Sequence, residues 1–428
     1  MTEPAPVPHL PVAVIGGGQA GLSVSHFLRR RGLDHLVFER HRIGHAWRAE
    51  RWDSFCLVTP NWQCRLPGFP YAGPEPDGFM ARDEIVRYVE GFAAAVKPPI
   101  REGVDVTALG RRPDGTFTLA TSEGSYTASN VVLAVSAYHR PNVPLLAERL
   151  PGEIVQVHSS RYRNPEQLPP GAVLVVGTGQ SGCQIAEDLH LAGRRVHLSV
   201  GSAPRSPRRY RGKDAIRWLD EMGQYAMTVA DHPKGKLVRR QANHYMTGRG
   251  GGREIDLRRF AAEGMRLYGR LAEVRGAALR FAPDLRARLD AADEVYLGIR
   301  RLIDGHIATA GIDAPEEPAY APAWEPEVEP LALDLAEAGV TSVVWGTGFR
   351  SDWSWVDLPC FNGAGEPDHE RGVTPVPGLM MVGLPWLNSW GSGRFSRIAE
   401  DAEHVVDAIV ERTVPAEFAR LRPAMGRR

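Results

Sequence analysis

Two stretches of the chain share one hydrophobic pattern. Apolar residues run over 11–15 and again over 173–176, and each run ends in a glycine-rich turn. Helical periodicity comes after the turn, over 20–31 in the first stretch. A second apolar run comes next, at 35–39 and at 194–200. This order predicts two strand–helix–strand units about 160 residues apart, each as long as a mononucleotide-binding half.

The rest of the pattern predicts a larger α/β fold around these units. It indicates helices over 82–96, 284–311 and 396–412, and strands over 103–109, 116–121, 130–136, 341–349 and 378–384. We expect two Rossmann-like dinucleotide-binding domains, the second inserted in the first. The first domain would span 1–145 and 331–428, with the strand over 341–349 completing it. The second domain, with a helical and irregular insertion, would span 146–330.

The first glycine-rich turn has the spacing of a dinucleotide-binding loop. Gly16 permits a tight turn, Gly18 lets the backbone approach a pyrophosphate, and Gly21 allows the helix to pack closely on the strand. Gln19 and Ala20 open the helix, whose N-terminus favours a negative charge. A dinucleotide site is the preferred interpretation, and a structural tight turn is the alternative.

An acid and an aromatic segment extend this first site. Glu39 ends the second strand, where a carboxylate can accept hydrogen bonds from ribose hydroxyls. Trp47 and Arg48 lie in a later segment that suits FAD extending past the first unit towards a buried flavin ring. We therefore predict FAD in the first domain. The other residues assigned to cofactor binding are Arg40, Val106, Ala134 and Gly348.

The second turn has the same glycine spacing as the first. Gly177, Gly179 and Gly182 occupy the three glycine positions, with Gln180 and Ser181 between the last two. The same physical roles are expected of them, so the sequence predicts a second dinucleotide site.

The second strand of this unit ends without an acid, at Ser199 or Val200. Arg205, Arg208 and Arg209 come after it. An acid there would repel a 2′-phosphate, whereas arginines would pair with it. This arrangement predicts NADPH rather than NADH, and the alternative is a solvated arginine face in an arginine-rich chain.

Composition narrows the class of protein. The formal net charge is +0 and the pI is about 7.3, which argues against nucleic acid as a partner. The sequence has no apolar run of about 20 residues that would insert in a membrane, and the first ten residues do not resemble a signal peptide. We therefore expect a cytoplasmic protein.

The four cysteines predict neither a metal site nor a redox pair. Cys56, Cys64, Cys183 and Cys360 form no C-x-x-C motif, so we expect no zinc site and no disulfide framework. Cys56 and Cys64 are eight positions apart, which is not the spacing of a flavoprotein disulfide reductase. We expect buried free thiols.

Several segments resemble flavin-containing monooxygenases. The stretch 150–165 resembles their F-x-G-x-x-x-H-S-x-x-Y fingerprint, with Leu150 in place of the aromatic residue and two extra residues before His158. The segments 134–144 and 345–349 are similar to the two connectors of that family, and 383–409 resembles its flavin-covering segment and helix. The chain thus resembles the class B flavoprotein monooxygenases, in particular bacterial CzcO-like flavoproteins, over most of its length except about 210–330.

The resemblance implies a reaction and its participants. In this family NADPH reduces FAD, oxygen adds to the flavin, and the C4a-(hydro)peroxyflavin transfers one oxygen atom to a small organic substrate. Asn61 looks like the family asparagine near the flavin face and is our candidate catalytic residue, with turn chemistry after Pro60 as the alternative. His158 either orients the nicotinamide side, links the domains, or is a structural loop histidine.

Three questions stay open from the sequence alone. An NADPH-dependent flavin oxidoreductase or oxidase that does not oxygenate a substrate is the alternative function, and a flavin redox sensor is a third. The segment 205–330 is the expected source of specificity, with glycines at 248–252 that form either a lid or a turn. A homodimer is compatible with the sequence.

Overall fold

A computed structural model of the protein describes residues 6–413. Both outer ends of the predicted first domain, 1–5 and 414–428, therefore lie outside the described residues. The strands are, in chain order, β1 His9–Ile15, β2 His35–Glu39, β3 Arg65–Leu66, β4 Phe69–Pro70, β5 Ile100–Glu102, β6 Val106–Arg111, β7 Phe117–Thr121, β8 Gly124–Leu133, β9 Arg140–Pro141, β10 Val155–His158, β11 Ala172–Val176, β12 Val196–Ser199, β13 Arg209–Tyr210, β14 Lys213–Asp214, β15 Arg266–Tyr268, β16 Leu271–Arg275, β17 Ala278–Phe281, β18 Ala332–Asp334, β19 Val340–Trp345, β20 Phe349–Arg350 and β21 Leu379–Met381.

A helix begins at each glycine-rich turn, as the periodicity predicts. The α-helices are α1 Gln19–Arg30, α2 His45–Ala49, α3 Arg82–Val96, α4 Gln180–Leu191, α5 Ala215–Glu221, α6 Arg249–Gly252, α7 Leu257–Ala262, α8 Leu285–Ala310 and α9 Ile398–Thr413. Short 3₁₀ turns lie at Asn61–Gln63, Leu145–Arg149, Pro165–Gln167 and Gly235–Arg240.

The first sheet uses strands from both halves of the chain. Its order is β5-β2-β1-β8-β7-β6, and β21 also pairs with β8. β5, β2, β1, β8 and β21 are parallel, whereas β6 and β7 add an antiparallel edge. α1, α3 and α9 bury apolar side chains in one core with this sheet, including Leu22, Phe92 and Val405. The first domain is therefore built from an N-terminal and a C-terminal segment, as predicted.

The second sheet is inserted between those two segments. Its five strands are all parallel, in the order β10-β19-β11-β12-β15. The central strand β11 is buried along its whole length, which explains its uninterrupted apolar sequence. The prediction of an α/β fold with two Rossmann-like domains, one inserted in the other, is confirmed.

One boundary in that prediction is wrong. β19 pairs with β10 and β11 in the second sheet, so the strand predicted over 341–349 does not complete the first domain. The second domain extends past residue 330 to the end of β19. After β20 the chain returns to the first domain, where side chains such as Val356 and Leu384 pack under the first sheet together with β21 and α9. The hydrophobic run identifies a buried strand, but it carries no information about which sheet supplies its neighbours.

The two chain crossings between the domains are joined to each other. β9 lies on the outward crossing and β20 on the return, and they pair antiparallel. The backbone N–H of Asn142 donates to the carbonyl oxygen of Gly348 at 2.9 Å, and its side-chain amide donates to that of Thr347 at 3.1 Å. The crossings therefore form one hydrogen-bonded unit between the two sheets.

Candidate dinucleotide-binding site

Both glycine-rich turns line a single cavity of about 1570 Å³. Each turn contributes five consecutive residues to the wall, 16–20 in the first domain and 177–181 in the second. A pocket for one drug-sized ligand measures roughly 300–1,000 Å³. The cavity is large enough for two extended ligands that approach each other from the two domains.

The first turn has the geometry that each of its glycines was predicted to provide. Gly16 has a φ of +107°, and a Cβ there would lie 2.6 Å from the carbonyl oxygen of Ala134. A Cβ on Gly18 would meet nothing within 4 Å, because this position faces the cavity. A Cβ on Gly21 would lie 1.8 Å from the carbonyl oxygen of Gly16, so only glycine allows α1 to pack this closely.

The second turn repeats this geometry. Gly177 has a φ of +101°, and a Cβ there would lie 2.7 Å from the carbonyl oxygen of Gly346. A Cβ on Gly182 would lie 2.0 Å from the carbonyl oxygen of Gly177. Gly346 comes directly after β19 as Ala134 comes directly after β8, so each turn rests on the end of a neighbouring parallel strand.

The two helices that begin at these turns present free backbone amides to the cavity. Gly18 is the N-cap of α1 and Gly179 is the N-cap of α4. Neither start, both within the described part of the chain, has a side-chain cap or an acidic residue in its first turn. Unpaired N–H groups and the helix dipole favour an anion such as a pyrophosphate.

The strand ends distinguish the two halves of the site. The Glu39 carboxylate lines the cavity and accepts hydrogen bonds from the backbone N–H of Gly17 at 2.7 Å and of His41 at 2.8 Å. At the equivalent point of the second unit, the Ser199 hydroxyl donates to the Gly269 carbonyl oxygen and accepts from the Leu271 N–H, both at 3.0 Å. An oriented carboxylate therefore stands in the first half, and a neutral hydroxyl turned towards the backbone stands in the second.

Most of the other predicted cofactor-binding residues line the cavity. Outside the turns these are Arg40, Trp47, Val106, Ala134 and Gly348. Arg48 lies elsewhere, because its guanidinium pairs with the Glu90 carboxylate on α3. Gly21 and Gly182 lie behind the wall, where they allow close packing of α1 and α4.

The three arginines after β12 do not form one phosphate-binding group. Arg205 is 2% exposed, and its guanidinium pairs with the carboxylates of Glu254, Asp256 and Asp293 at 2.8–3.0 Å. A cation held by three carboxylates cannot serve as the predicted phosphate ligand.

Arg208 is also 2% exposed and is paired internally. Its guanidinium pairs with the Asp214 carboxylate and donates to the Val58 carbonyl oxygen at 2.7 Å. The prediction that Arg205 and Arg208 grip a 2′-phosphate is therefore corrected: both are structural. Arg209 is exposed, with a single 3.4 Å contact to the Gly251 carbonyl oxygen, and its phosphate role stays a prediction.

Asn61 has a structural role in a turn rather than a catalytic role in the cavity. It is 3% exposed and begins a 3₁₀ turn outside the cavity wall. Its Nδ2 donates to the Glu75 carbonyl oxygen at 2.9 Å, and its Oδ1 accepts from the Met80 N–H at 2.8 Å. Both ends of the amide hold the loop together, so the structure does not bring the candidate catalytic residue to the site.

His158 links two elements of the second domain to the return crossing. Its Nε2 donates to the Gly348 carbonyl oxygen at 2.9 Å, and its Nδ1 lies 3.0 Å from the Ser160 hydroxyl. Burial lowers the pKa of this imidazole, which is therefore neutral at pH 7. Of the roles that the sequence allows for His158, this hydrogen bond to the crossing corresponds to the linking one. His158 does not itself line the cavity.

The cysteines have the properties of inert thiols. All four are free, and Cys64, Cys183 and Cys360 are buried. Burial raises the pKa of Cys64 to about 12 and also raises that of Cys56, so neither is a ready thiolate. Within residues 6–413 no cluster of three or more His, Cys, Asp or Glu side chains could hold a metal ion.

The glycine run over 248–252 is a packed turn rather than a lid, because the short element α6 has left-handed rather than helical backbone at Gly250 and Gly251. A Cβ on Gly248 would lie 1.9 Å from the Leu57 carbonyl oxygen, and one on Gly252 would lie 2.7 Å from the Phe79 ring. Glycine is required here because two segments of backbone and an aromatic ring approach each other closely.

Among the arginines of the wall that were not predicted, two lie over aromatic rings. Arg51 lies over the rings of Trp47 and Phe55, at 5.3 and 5.6 Å from their centroids. Arg394 lies 3.7 Å from the ring centroid of Trp390. Among the described residues no carboxylate lies within ion-pair distance of either guanidinium. Arg51 belongs to no recognised segment, and the resemblance of 383–409 to the flavin-covering segment does not single out Arg394. In a chain with this many arginines only the structure separates these two from surface residues.

The fold and the site together define a class of protein: a two-domain oxidoreductase with one dinucleotide loop in each domain. The chain belongs to the pyridine nucleotide-disulphide oxidoreductase family, whose model matches residues 13–260. The free thiols of this chain, of which all but the partly exposed Cys56 are buried, offer no redox pair beside the cavity, so membership of the family does not imply a dithiol reaction here.

Individual relatives agree with this assignment. An oxidoreductase of Geobacillus kaustophilus described as CzcO-like is 32% identical over 403 residues, which cover 93% of this chain and 98% of the relative. The resemblance to CzcO-like flavoproteins noted in the sequence is thus confirmed. A flavin-containing monooxygenase from Stenotrophomonas maltophilia has the same fold, with a TM-score of 0.64 at 18% identity, covering 95% of this chain and all of that one. The OTEMO structure, a complex with FAD and NADP, has a TM-score of 0.54 at 17% identity, covering 95% and 86%.

None of the helices within residues 6–413 is both long enough and apolar enough to cross a bilayer.

Proposed function

We propose that this protein is an FAD- and NADPH-dependent monooxygenase that transfers one oxygen atom from O₂ to a small organic substrate. The observation that supports it most is the single cavity shared by two uncapped helix starts, one in each domain. Two anion-binding helix ends on one cavity suit a pair of dinucleotides whose reactive rings meet. The OTEMO complex with FAD and NADP gives a precedent for both cofactors in this fold.

The first half of the cavity fits FAD. The open position at Gly18 and the free amides of α1 suit its pyrophosphate, and the Glu39 carboxylate suits a ribose. Trp47 and Val106 supply apolar wall beyond the acid. FAD, when bound, would supply the hydride acceptor and the activation of O₂.

The second half fits NADPH. The amides of α4 suit the second pyrophosphate, and the strand end at Ser199 presents no acid to repel a 2′-phosphate. Arg209 is the first exposed cation that comes after this strand end in the sequence, and we assign the 2′-phosphate to it. We further propose that the protein is cytoplasmic, and a homodimer is compatible with its sequence.

The chain's own contribution would be positioning and exclusion of water. Backbone amides and glycines fix the two cofactors, and aromatic side chains of the wall shield the reacting region from solvent. Asn61 and His158 support the loops around the cavity and take no part in proton transfer at it.

The test follows the oxygen atom. FAD-loaded protein is supplied with NADPH, ¹⁸O₂ and a panel of small organic compounds, and products are analysed by mass while hydrogen peroxide is measured. We expect at least one compound to gain one ¹⁸O atom and to lower the peroxide released per NADPH consumed.

The same experiment addresses the alternative function. If every compound leaves the ratio of peroxide to NADPH near one and gains no ¹⁸O, the protein is an NADPH-dependent oxidase or oxidoreductase that does not oxygenate a substrate. NADPH consumption without peroxide, in the presence of an added electron acceptor, would indicate the oxidoreductase in particular.

A further inference from the structure

One end of the cavity differs from the rest in its chemistry. It is formed by segment 216–246 of the second domain and segment 385–395 near the end of the first. Its wall is mainly aromatic and apolar, and its principal side chains are Ile216, Leu219, Tyr225, Met246, Trp386 and Trp390. We call this region the aromatic end.

The rings of the aromatic end are fixed. Tyr225 is 6% exposed and stacks on Trp390, with ring centroids 3.9 Å apart and an angle of 28° between the planes. His232 packs edge-on against Trp386 at 5.3 Å. Rigid aromatic surfaces at a cavity wall favour a flat apolar ligand over a flexible polar one.

A single ionised side chain stands in this wall. Of the wall residues from 216–246 and 385–395, all within the described chain, Arg394 is the only Asp, Glu, Lys or Arg. Its Nη2 donates to the Asn243 side-chain oxygen at 2.7 Å, and its Nη1 donates to the Trp390 carbonyl oxygen. These neutral partners orient the guanidinium but do not compensate its charge. The guanidinium also has further N–H groups that can donate to a ligand.

The neighbouring imidazole of His244 adds no charge to this wall. Burial, followed by the charge of Arg394, lowers the pKa of His244 to about 4, so it is neutral at pH 7. Burial also lowers the pKa of Arg394, which nevertheless stays protonated at physiological pH because the starting value is so high. The aromatic end therefore carries one net positive charge in an apolar surrounding, where an unpaired charge is costly until an anion joins it.

We propose that the aromatic end binds the substrate and that Arg394 recognises its anionic group, so that the substrate is an aromatic carboxylic acid. The planar guanidinium matches a carboxylate, and the wall side chains of Ile216, Leu219 and Trp386 offer an apolar surface for the ring. This inference rests on the proposed function, because it names the substrate class of that reaction.

The test measures binding without turnover. Oxidised, FAD-loaded protein is titrated calorimetrically, without NADPH, with phenylacetate, 3-phenylpropanoate and 2-naphthylacetate, and with the primary amide of each. We expect at least one acid to bind about 10-fold or more tightly than its amide, because only the acid gains a charge-assisted pair. In Arg394→Met the acid should lose about 10–100-fold in affinity and the amide less than about 3-fold, whereas Arg394→Lys should keep part of the preference.

A matched variant and the cofactor provide the controls. Arg42→Met removes an exposed cation elsewhere on the same cavity and should leave the ratio of acid to amide affinity unchanged. Circular dichroism and the flavin content establish that each variant is folded and loaded. Acids that bind no better than their amides, or no acid binding at 10 mM, would overturn the proposal.

A different result would assign Arg394 to the cofactor. If Arg394→Met shifts the flavin reduction potential while acid and amide lose affinity equally, the guanidinium serves the flavin and the proposal is wrong. The binding experiment and the ¹⁸O₂ experiment are independent, so failure of the substrate class and failure of the oxygenation reaction are distinguishable.

Discussion

The carbonyl oxygen of Gly16 lies 1.8 Å from the position that a Cβ would take on Gly21, and the Gly177–Gly182 pair repeats this relationship at 2.0 Å. A contact with backbone at these distances cannot be relieved by a side-chain movement. Because glycine is required at the same position in both domains, the same substitution can be made in each and the two effects compared.

Gly21→Ala and Gly182→Ala should therefore have different effects. We expect Gly21→Ala to be isolated with most of its FAD lost, because the start of α1 must move away from the first turn. We expect Gly182→Ala to keep FAD but to show a KM for NADPH raised by about 10-fold or more. Flavin absorbance per mole of protein and steady-state kinetics measure the two outcomes. Equal flavin loss in both variants would contradict the assignment of one cofactor to each turn.

Asp401 is expected to make the stability of the protein depend on pH. It is 2% exposed near the start of α9, and burial raises the pKa of its carboxyl from 3.8 to about 7. Between these two values the folded state holds a proton that the unfolded state has lost, so the free energy of unfolding falls as pH rises. Over this interval the group accounts for a loss of about 4 kcal/mol.

The variant Asp401→Asn should remove most of that dependence. Urea unfolding at pH 4.5 and at pH 8 would show a smaller fall in the free energy of unfolding for the variant than for the natural chain. The quantity to compare is the fall in the free energy of unfolding of the natural chain minus that of the variant, because the other titrating groups are the same in the two proteins. Identical falls would mean that Asp401 is ionised throughout.

Asn61→Ala should affect stability rather than chemistry. It removes the acceptor for the Met80 N–H and the donor for the Glu75 carbonyl oxygen, which lowers the free energy of unfolding by about 1–3 kcal/mol. The turnover rate per bound flavin should change by less than about 3-fold. A loss of turnover of 100-fold or more in a folded, flavin-loaded variant would return Asn61 to the catalytic role.

Arg205→Met and Arg209→Met separate the two kinds of arginine after β12. Arg205→Met leaves the carboxylates around it without their cation, and we expect a loss of about 3–5 kcal/mol in the free energy of unfolding. Arg209→Met should change stability by no more than about 0.5 kcal/mol but raise the KM for NADPH and not that for NADH. A selective effect of Arg205→Met on the KM for NADPH, at unchanged stability, would contradict this division.

The local parts of the site could be predicted from the sequence because short-range sterics determine them. The glycines at 16, 18 and 21, the helix that begins there, and Glu39 all lie within one strand–helix–strand unit. The role of Gly21 depends on the carbonyl oxygen of Gly16, five residues away, so the spacing of the two glycines carries that information, whereas the contact of Gly16 with Ala134 appears only in the fold.

The parts that the sequence did not predict depend on distant partners. Arg205, Arg208 and Arg209 look alike in the sequence, but only the fold brings Asp293 to the first of them and the Val58 carbonyl oxygen to the second. β19 has the pattern of a buried strand wherever it pairs, and only the sheet order assigns it to the second domain. Arg394 is not singled out by the resemblance of segment 383–409, and the proposed role in substrate binding rests on the absence of acidic residues from the described wall around it.

We propose that the two turns hold different dinucleotides in one cavity and that a hydride passes between them. Anaerobic mixing of the FAD-loaded protein with NADPH, followed by flavin absorbance, tests this hydride transfer. We predict saturable reduction of the flavin, slower with NADPH deuterated at the transferred position and much weaker with NADH at the same concentration. Absence of flavin reduction, or reduction with no isotope effect and no preference for NADPH, would contradict the account.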